Sequence, residues 1–222
     1  YSPILLGDID ADGIEDMLAG SPGSDLENTN GGAIWIFDLN NGGYVTGTQD
    51  VNVLSTGLIT SSSGGFGYAV AVGDFDGDGA DDLLGGAPLY SRDGNVVGRA
   101  LLYDGQDSWW SNSLRREDAI GYVRGISNGD NLGYSMIAAD FDHDGLDDLV
   151  VCSPNRTGGG ACYYINQGDI FNASGDGTTV SSLASATFTG VASGDTLGLS
   201  QTAIADRKST RLNSSHSSVS RM

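Results

Sequence analysis

Along the first 205 residues, short apolar runs of strand length alternate with clusters of Gly, Asp, Asn and Pro. The clearest series is Gly67-Tyr68-Ala69-Val70-Ala71-Val72-Gly73, then Leu83-Leu84-Gly85-Gly86-Ala87-Pro88, Arg99-Ala100-Leu101-Leu102-Tyr103 and Ala119-Ile120-Gly121-Tyr122-Val123. Runs this short, closed by turn residues, predict four strands rather than helices. The third of them returns as Ala33-Ile34-Trp35-Ile36-Phe37 and as Ala161-Cys162-Tyr163-Tyr164-Ile165. Acidic segments beginning at residues 8, 74 and 140 set the period at 66 residues. A repeat of that length, with four antiparallel strands in each unit, is one blade of a β-propeller. The expected fold class is therefore all-β: a partial β-propeller of about three four-stranded antiparallel blades.

Charge sharpens this picture. The chain carries 29 Asp and Glu against 10 Lys and Arg, a formal net charge of −19. That balance excludes an electropositive nucleic-acid or anionic-membrane surface and points to cations as partners. No apolar run approaches the roughly 20 residues that a bilayer-spanning helix needs. The chain opens on Tyr1, so its natural start is expected upstream. Residues 206–222 break the composition: they hold Arg207, Lys208, Arg211 and Arg221 with a single acid, Asp206, leaving 6 basic against 28 acidic residues over 1–205. This stretch resembles a translated sequencing adapter and is set aside as a non-native tail.

The acids are concentrated in three nine-residue loops, Asp8-Ile9-Asp10-Ala11-Asp12-Gly13-Ile14-Glu15-Asp16, Asp74-Phe75-Asp76-Gly77-Asp78-Gly79-Ala80-Asp81-Asp82 and Asp140-Phe141-Asp142-His143-Asp144-Gly145-Leu146-Asp147-Asp148. Carboxylates at positions 1, 3, 5 and 9 make a cage of hard oxygens, which selects Ca²⁺ over softer metals. Glycine at position 6 allows a positive φ, so that the carbonyl of position 7 can turn inward. The predicted ligands are Asp8, Asp10, Asp12, the Ile14 carbonyl and Asp16; Asp74, Asp76, Asp78, the Ala80 carbonyl and Asp82; and Asp140, Asp142, Asp144, the Leu146 carbonyl and Asp148. An EF-hand would need Glu at position 12 between helices, but Ala19, Gly85 and Val151 stand there inside strands. Glu15, Asp81 and Asp147, at position 8, are expected to point away from the cage, solvated or behind the ligands.

Phe66-Gly67 and Gly86-Ala87-Pro88 flank the second loop, with Gly20-Ser21-Pro22 and Cys152-Ser153-Pro154 at the latter place in the other repeats and Leu132-Gly133 at the former. With these motifs the chain resembles the FG-GAP repeats of integrin alpha-type β-propellers and their bacterial relatives. The resemblance covers nearly all of residues 1–205. It implies a ring that typically has seven blades, so about three blades are expected to be part of a larger ring whose outer blades lack neighbours. It also implies a calcium-binding extracellular or cell-surface domain for recognition or adhesion, with structural Ca²⁺ and a protein or glycan ligand on one rim. The alternative is the propeller of a secreted enzyme whose catalytic residues lie elsewhere.

Gly125-Ile126-Ser127-Asn128-Gly129 fits a nucleophile-elbow pattern but follows a strand with no helix after it, and reads as a turn. His143, the one histidine outside the tail, sits at the variable loop position 4 and is expected to be an exposed bystander, which leaves no catalytic constellation. Cys152 and Cys162 fall on adjacent strands and either bridge or remain buried thiols. A bridge places the protein outside the cytosol. Asn155 and Asn172 begin glycosylation sequons. Strand alternation puts the acidic loops on one rim with Ser108-Trp109-Trp110-Ser111, and Leu89, Tyr90, Arg92, Asn155 and Arg156 on the other, where integrin-like propellers meet ligands.

Overall fold

The computed structural model describes residues 3–39, 55–105, 113–171 and 178–199. Trp109, Trp110, Asn172 and the tail from 206 lie outside them. Three sheets follow one another along the chain. The first contains β1 (Ile4–Gly7), β2 (Asp16–Ser21), β3 (Ala33–Phe37) and β4 (Gly57–Thr60), paired antiparallel in that order. The second begins with β5 (Val70–Gly73) and β6 (Asp82–Ala87). It continues, past a small hairpin of β7 (Ser91–Arg92) and β8 (Asn95–Val96), with β9 (Arg99–Tyr103), and, past β10 (Ser113–Arg115), with β11 (Gly121–Arg124). The third holds β12 (Ser135–Ala139), β13 (Asp148–Ser153), β14 (Ala161–Ile165) and β15 (Ala186–Thr189). Short helices α1 (Gln167–Phe171) and α2 (Val180–Leu183) lie between the last two strands.

The third strands have the bounds that the sequence predicts. The first strand of the second repeat is shorter, starting at Val70. Gly67 adopts φ 81°, and it and Tyr68 both donate to the Gly86 carbonyl as the chain turns in. One pairing crosses from unit to unit: β10, from the second unit, lies parallel to β4 and closes the outer edge of the first blade, and a parallel bridge between Arg124 and Thr179 repeats the contact 66 residues on. Arg115 in β10 approaches Glu27 at 3.6 Å, and Glu27 accepts the Thr60 hydroxyl at 2.6 Å, so the added strand is tied to the edge it covers.

The apolar core lies between blades. One cluster joins the first and second blades through Leu18, Ile34, Ile36, Ile59, Phe66, Val72, Leu83, Leu101 and Tyr103. The other joins the second and third through Leu84, Ala100, Leu102, Leu132, Leu149, Val151 and Tyr163. Alternation along β9 explains this: Leu101 and Tyr103 enter one cluster, Ala100 and Leu102 the other. The FG and GAP residues set how closely blades approach. A Cβ on Gly20 would stand 2.1 Å from the Gly67 carbonyl oxygen, and one on Gly86 2.2 Å from that of Gly133, so each GAP glycine seats the next repeat's FG turn. In the third blade Cys152 stands where this glycine should be. Cys152 and Cys162 are direct register partners on β13 and β14 and form a disulfide, with Cα atoms 4.1 Å apart.

Candidate metal centre

Each acidic loop joins the first strand of a blade to the second, so all three emerge on one rim. Position 1 follows β1, β5 or β12, and position 9 opens β2, β6 or β13. The loop reverses through two left-handed residues. The predicted one is the position-6 glycine, with φ of 87°, 96° and 98° at Gly13, Gly79 and Gly145. The other is position 4, where Ala11, Gly77 and His143 have φ of 57°, 84° and 65°.

Aspartate side chains fasten the reversal to itself. The amides of Asp12 and Asp78 donate to Asp10 and Asp76 at 3.1 and 3.0 Å, and those of Ile14, Ala80 and Leu146 donate to Asp12, Asp78 and Asp144 at 2.7, 2.8 and 3.0 Å. Asp8, Asp74 and Asp140 accept the amides of Gly13, Gly77 and Gly145, and all these bonds draw the position-1, 3 and 5 carboxylates together. In Asp8/Asp10/Asp12, Asp74/Asp76/Asp78 and Asp140/Asp142/Asp144, one oxygen from each residue lies within 4.8 Å of the others.

Position 9 is placed differently. Asp16, Asp82 and Asp148 are buried beneath the loops, outside that close trio. Each accepts the position-2 amide, from Ile9, Phe75 and Phe141 at 3.3, 3.1 and 3.2 Å. Asp82 also takes the Gly105 amide at 2.8 Å; Asp148 takes the Gln167 amide at 3.2 Å and the Tyr164 hydroxyl at 3.0 Å. Burial pushes Asp16 and Asp82 up to about 7, against the pull of these amides and with help from neighbouring acids. Burial raises Asp10 and Asp74 as well, again reinforced by nearby carboxylates.

Two acids escape a reading confined to the nine-residue loops. Asp38 and Asp104 follow the third strands β3 and β9 directly. Asp38 raises Asp10 and Asp16, and Asp104 raises Asp82. Burial and then Asp76 and Asp78 raise Asp104 in turn. Their recurrence one residue past the third strand in the first two blades is the signal the sequence offers for them. In the third blade Asn166 holds this place. It donates to Asp142 at 3.3 Å, and Gln167 donates to Asp144 at 2.7 Å.

The donor set suits a hard cation. Every side chain in the three trios offers carboxylate oxygen, and the Oδ1 atoms of Asp8 and Asp104 are buried without a hydrogen-bond partner. Asp81 and Asp147, expected to face away, instead reach the loop of the preceding repeat. Asp81 accepts the Asp8 amide at 3.0 Å and Asp147 the Asp74 amide at 3.2 Å. Blade packing brings them there across 73 residues of chain.

Elsewhere, Ser127 lies in a turn, where its amide and that of Ile126 donate to Asp130 at 2.8 and 2.9 Å. His143 is exposed. On the opposite rim Leu89 and Asn155 are exposed, but Tyr90 and Arg156 turn inward. The Arg99 guanidinium stacks 3.9 Å from the Tyr90 ring, and Arg156 lies over buried Tyr163 and donates to its hydroxyl. Arg92 pairs with Asp93.

Blades, inter-blade cores and repeated loops together define three blades of a partial β-propeller of FG-GAP type. The chain carries three FG-GAP repeats, matched at residues 4–37, 66–103 and 132–165. It is similar to the phosphatidylinositol-glycan-specific phospholipase D of Rattus norvegicus, at 35% identity over 69% of this chain and 18% of that protein. The Bos taurus protein of the same name is 33% identical over the same shares. Integrin alpha-PS2 of Drosophila melanogaster is 37% identical over 41% of this chain and 6% of its own length. The chain thus spans less than a fifth of the length of these relatives.

Proposed function

We propose that the three acidic loops bind Ca²⁺ and that the chain is a calcium-stabilised extracellular propeller for recognition or adhesion, with no catalysis of its own. The observation that supports this most is the recurrence of one carboxylate trio, built by the same Asx bonds, in three successive blades. Without a cation these acids repel one another on a chain of net charge −19. A bound divalent ion removes that cost, and position 9 and the position-7 carbonyl complete the cage as the loop closes on it. The ion's role is structural, since each loop clamps the turn between the two innermost strands of a blade. The disulfide fits an oxidising compartment.

Thermal melts test the metal. Each site stabilises the fold by about 2.7 kcal/mol at 100 times its Kd, so millimolar Ca²⁺ raises Tm well above its value in chelator. Asp78→Ala lowers the calorimetric stoichiometry by one. Identical melts with and without chelator sink the calcium reading.

A second reading rests on the phospholipase D matches, which extend over more of this chain than the integrin match does. In it the same propeller accompanies a catalytic module of a secreted enzyme. The flanking sequence of the intact gene separates the two: a hydrolase module beside the repeats favours the enzyme, adhesive modules or a membrane anchor the receptor.

A further inference from the structure

Consecutive acidic loops are joined in the same way at both junctions. The Asp8 amide donates to the Asp81 carboxylate at 3.0 Å, and the Asp81 amide donates back to the Asp8 carbonyl at 2.8 Å. The Asp74 amide donates to the Asp147 carboxylate at 3.2 Å, and the Asp147 amide to the Asp74 carbonyl at 2.9 Å. Position 1 of one loop is thereby held by position 8 of the next. The glycine before position 1 makes room for the clasp: a Cβ on Gly7 would stand 3.0 Å from an Asp81 carboxylate oxygen, and one on Gly73 2.6 Å from that of Asp147. At the second junction the Leu146 side chain also lies against Gly77, where an added Cβ would be 2.9 Å away.

We propose that Asp81 and Asp147 couple cation binding in adjacent loops, so that filling one loop favours filling its neighbour. This rests on the calcium reading above. Position 8 lies between the position-7 carbonyl and the position-9 carboxylate, two predicted ligands of its own loop, and it grips position 1, a predicted ligand of the loop before. An ion that orders Ala80 and Asp82 fixes Asp81, and Asp81 fixes the backbone of Asp8. The second ion then orders less of the chain on binding, and by linkage the effect runs equally in both directions. Asp81 and Asp147 are positioning residues here, not ligands.

Calorimetric Ca²⁺ titration of the full chain tests this in wild type, Asp81→Ala, Asp78→Ala and the double variant. Wild type is expected to titrate with a Hill coefficient above 1. Asp78→Ala, which removes the middle site, is expected to weaken the remaining sites by about fivefold or more, the range usual for site-to-site coupling. In the Asp81→Ala background the same substitution leaves the first loop's affinity unchanged. Gly73→Ala provides a second route, since it displaces Asp147 without touching a predicted ligand, and it too should lower the Hill coefficient toward 1. Independent sites in wild type, or Asp78→Ala removing one site with no effect on the others, overturn the coupling and leave the calcium reading standing. Absence of any calcium heat or melting shift overturns both.

Discussion

The second and third blades have the same strand order but different surroundings. In the second, every residue of β6 and β9 is buried. In the third, β14 alternates between buried and half-buried positions, and β15 is exposed at all four residues. The second blade packs against a sheet on each face, whereas among the described residues the third is covered on one face only. Burial here is thus a property of the stack more than of the strand, as expected where each repeat buries its faces against its neighbours. The third blade differs in a covalent way too, since it carries the disulfide.

Truncating one apolar side chain in each blade breaks or sharpens that contrast. Leu101→Ala, inside the core between first and second blades, is expected to cost about 3 kcal/mol. Phe188→Ala, on exposed β15, should stay within about 0.5 kcal/mol. Comparable losses in denaturant melts would mean that β15 is covered in solution. Replacing both Cys152 and Cys162 by Ala removes a short closed loop and is expected to cost about 2 to 3 kcal/mol, with hydrogen exchange rising in β13 and β14 and unchanged in β3.

A pH series in chelator comes next. Asp16 and Asp82 are raised from 3.8 to about 7 in the fold. Between about pH 4 and 7 the metal-free folded state therefore binds more protons than the unfolded chain, and its stability declines as pH rises through that window. Tm in chelator should fall by several degrees from pH 4.5 to 7.5. Saturating Ca²⁺ favours the ionised carboxylates and should flatten or reverse the slope. A Tm in chelator that rises across the window would show that these carboxyls are ionised in the metal-free fold. A small effect is expected at loop position 4. Ala11→Gly relieves a left-handed alanine and should stabilise by about 0.5 kcal/mol. Gly77→Ala, at the same place in the second loop, should destabilise, since its Cβ also meets Leu146.

Much of this was legible in the chain. The third strands stand where Ala33-Ile34-Trp35-Ile36-Phe37 and its counterparts placed them, and the position-6 glycines are left-handed as the loop pattern required. The position-1, 3 and 5 carboxylates converge because side-chain bonds to amides two to five residues on build the turn locally. Other features were hidden. Asp38 and Asp104 approach the loops from the far end of the third strand, and Tyr90, expected as a rim anchor, is stacked on Arg99.

Strand identity and the acid trios were thus determined by the sequence alone, because each depends on residues a few positions apart whose conformation is set by alternation and turn chemistry, and their recurrence gives the period. Tertiary structure decided which face of β9 meets which neighbour, that β10 closes the edge of β4, and that Asp81 and Asp147 clasp the preceding loop. Those contacts join residues dozens of positions apart, and only the stacking of one blade on the next brings them together.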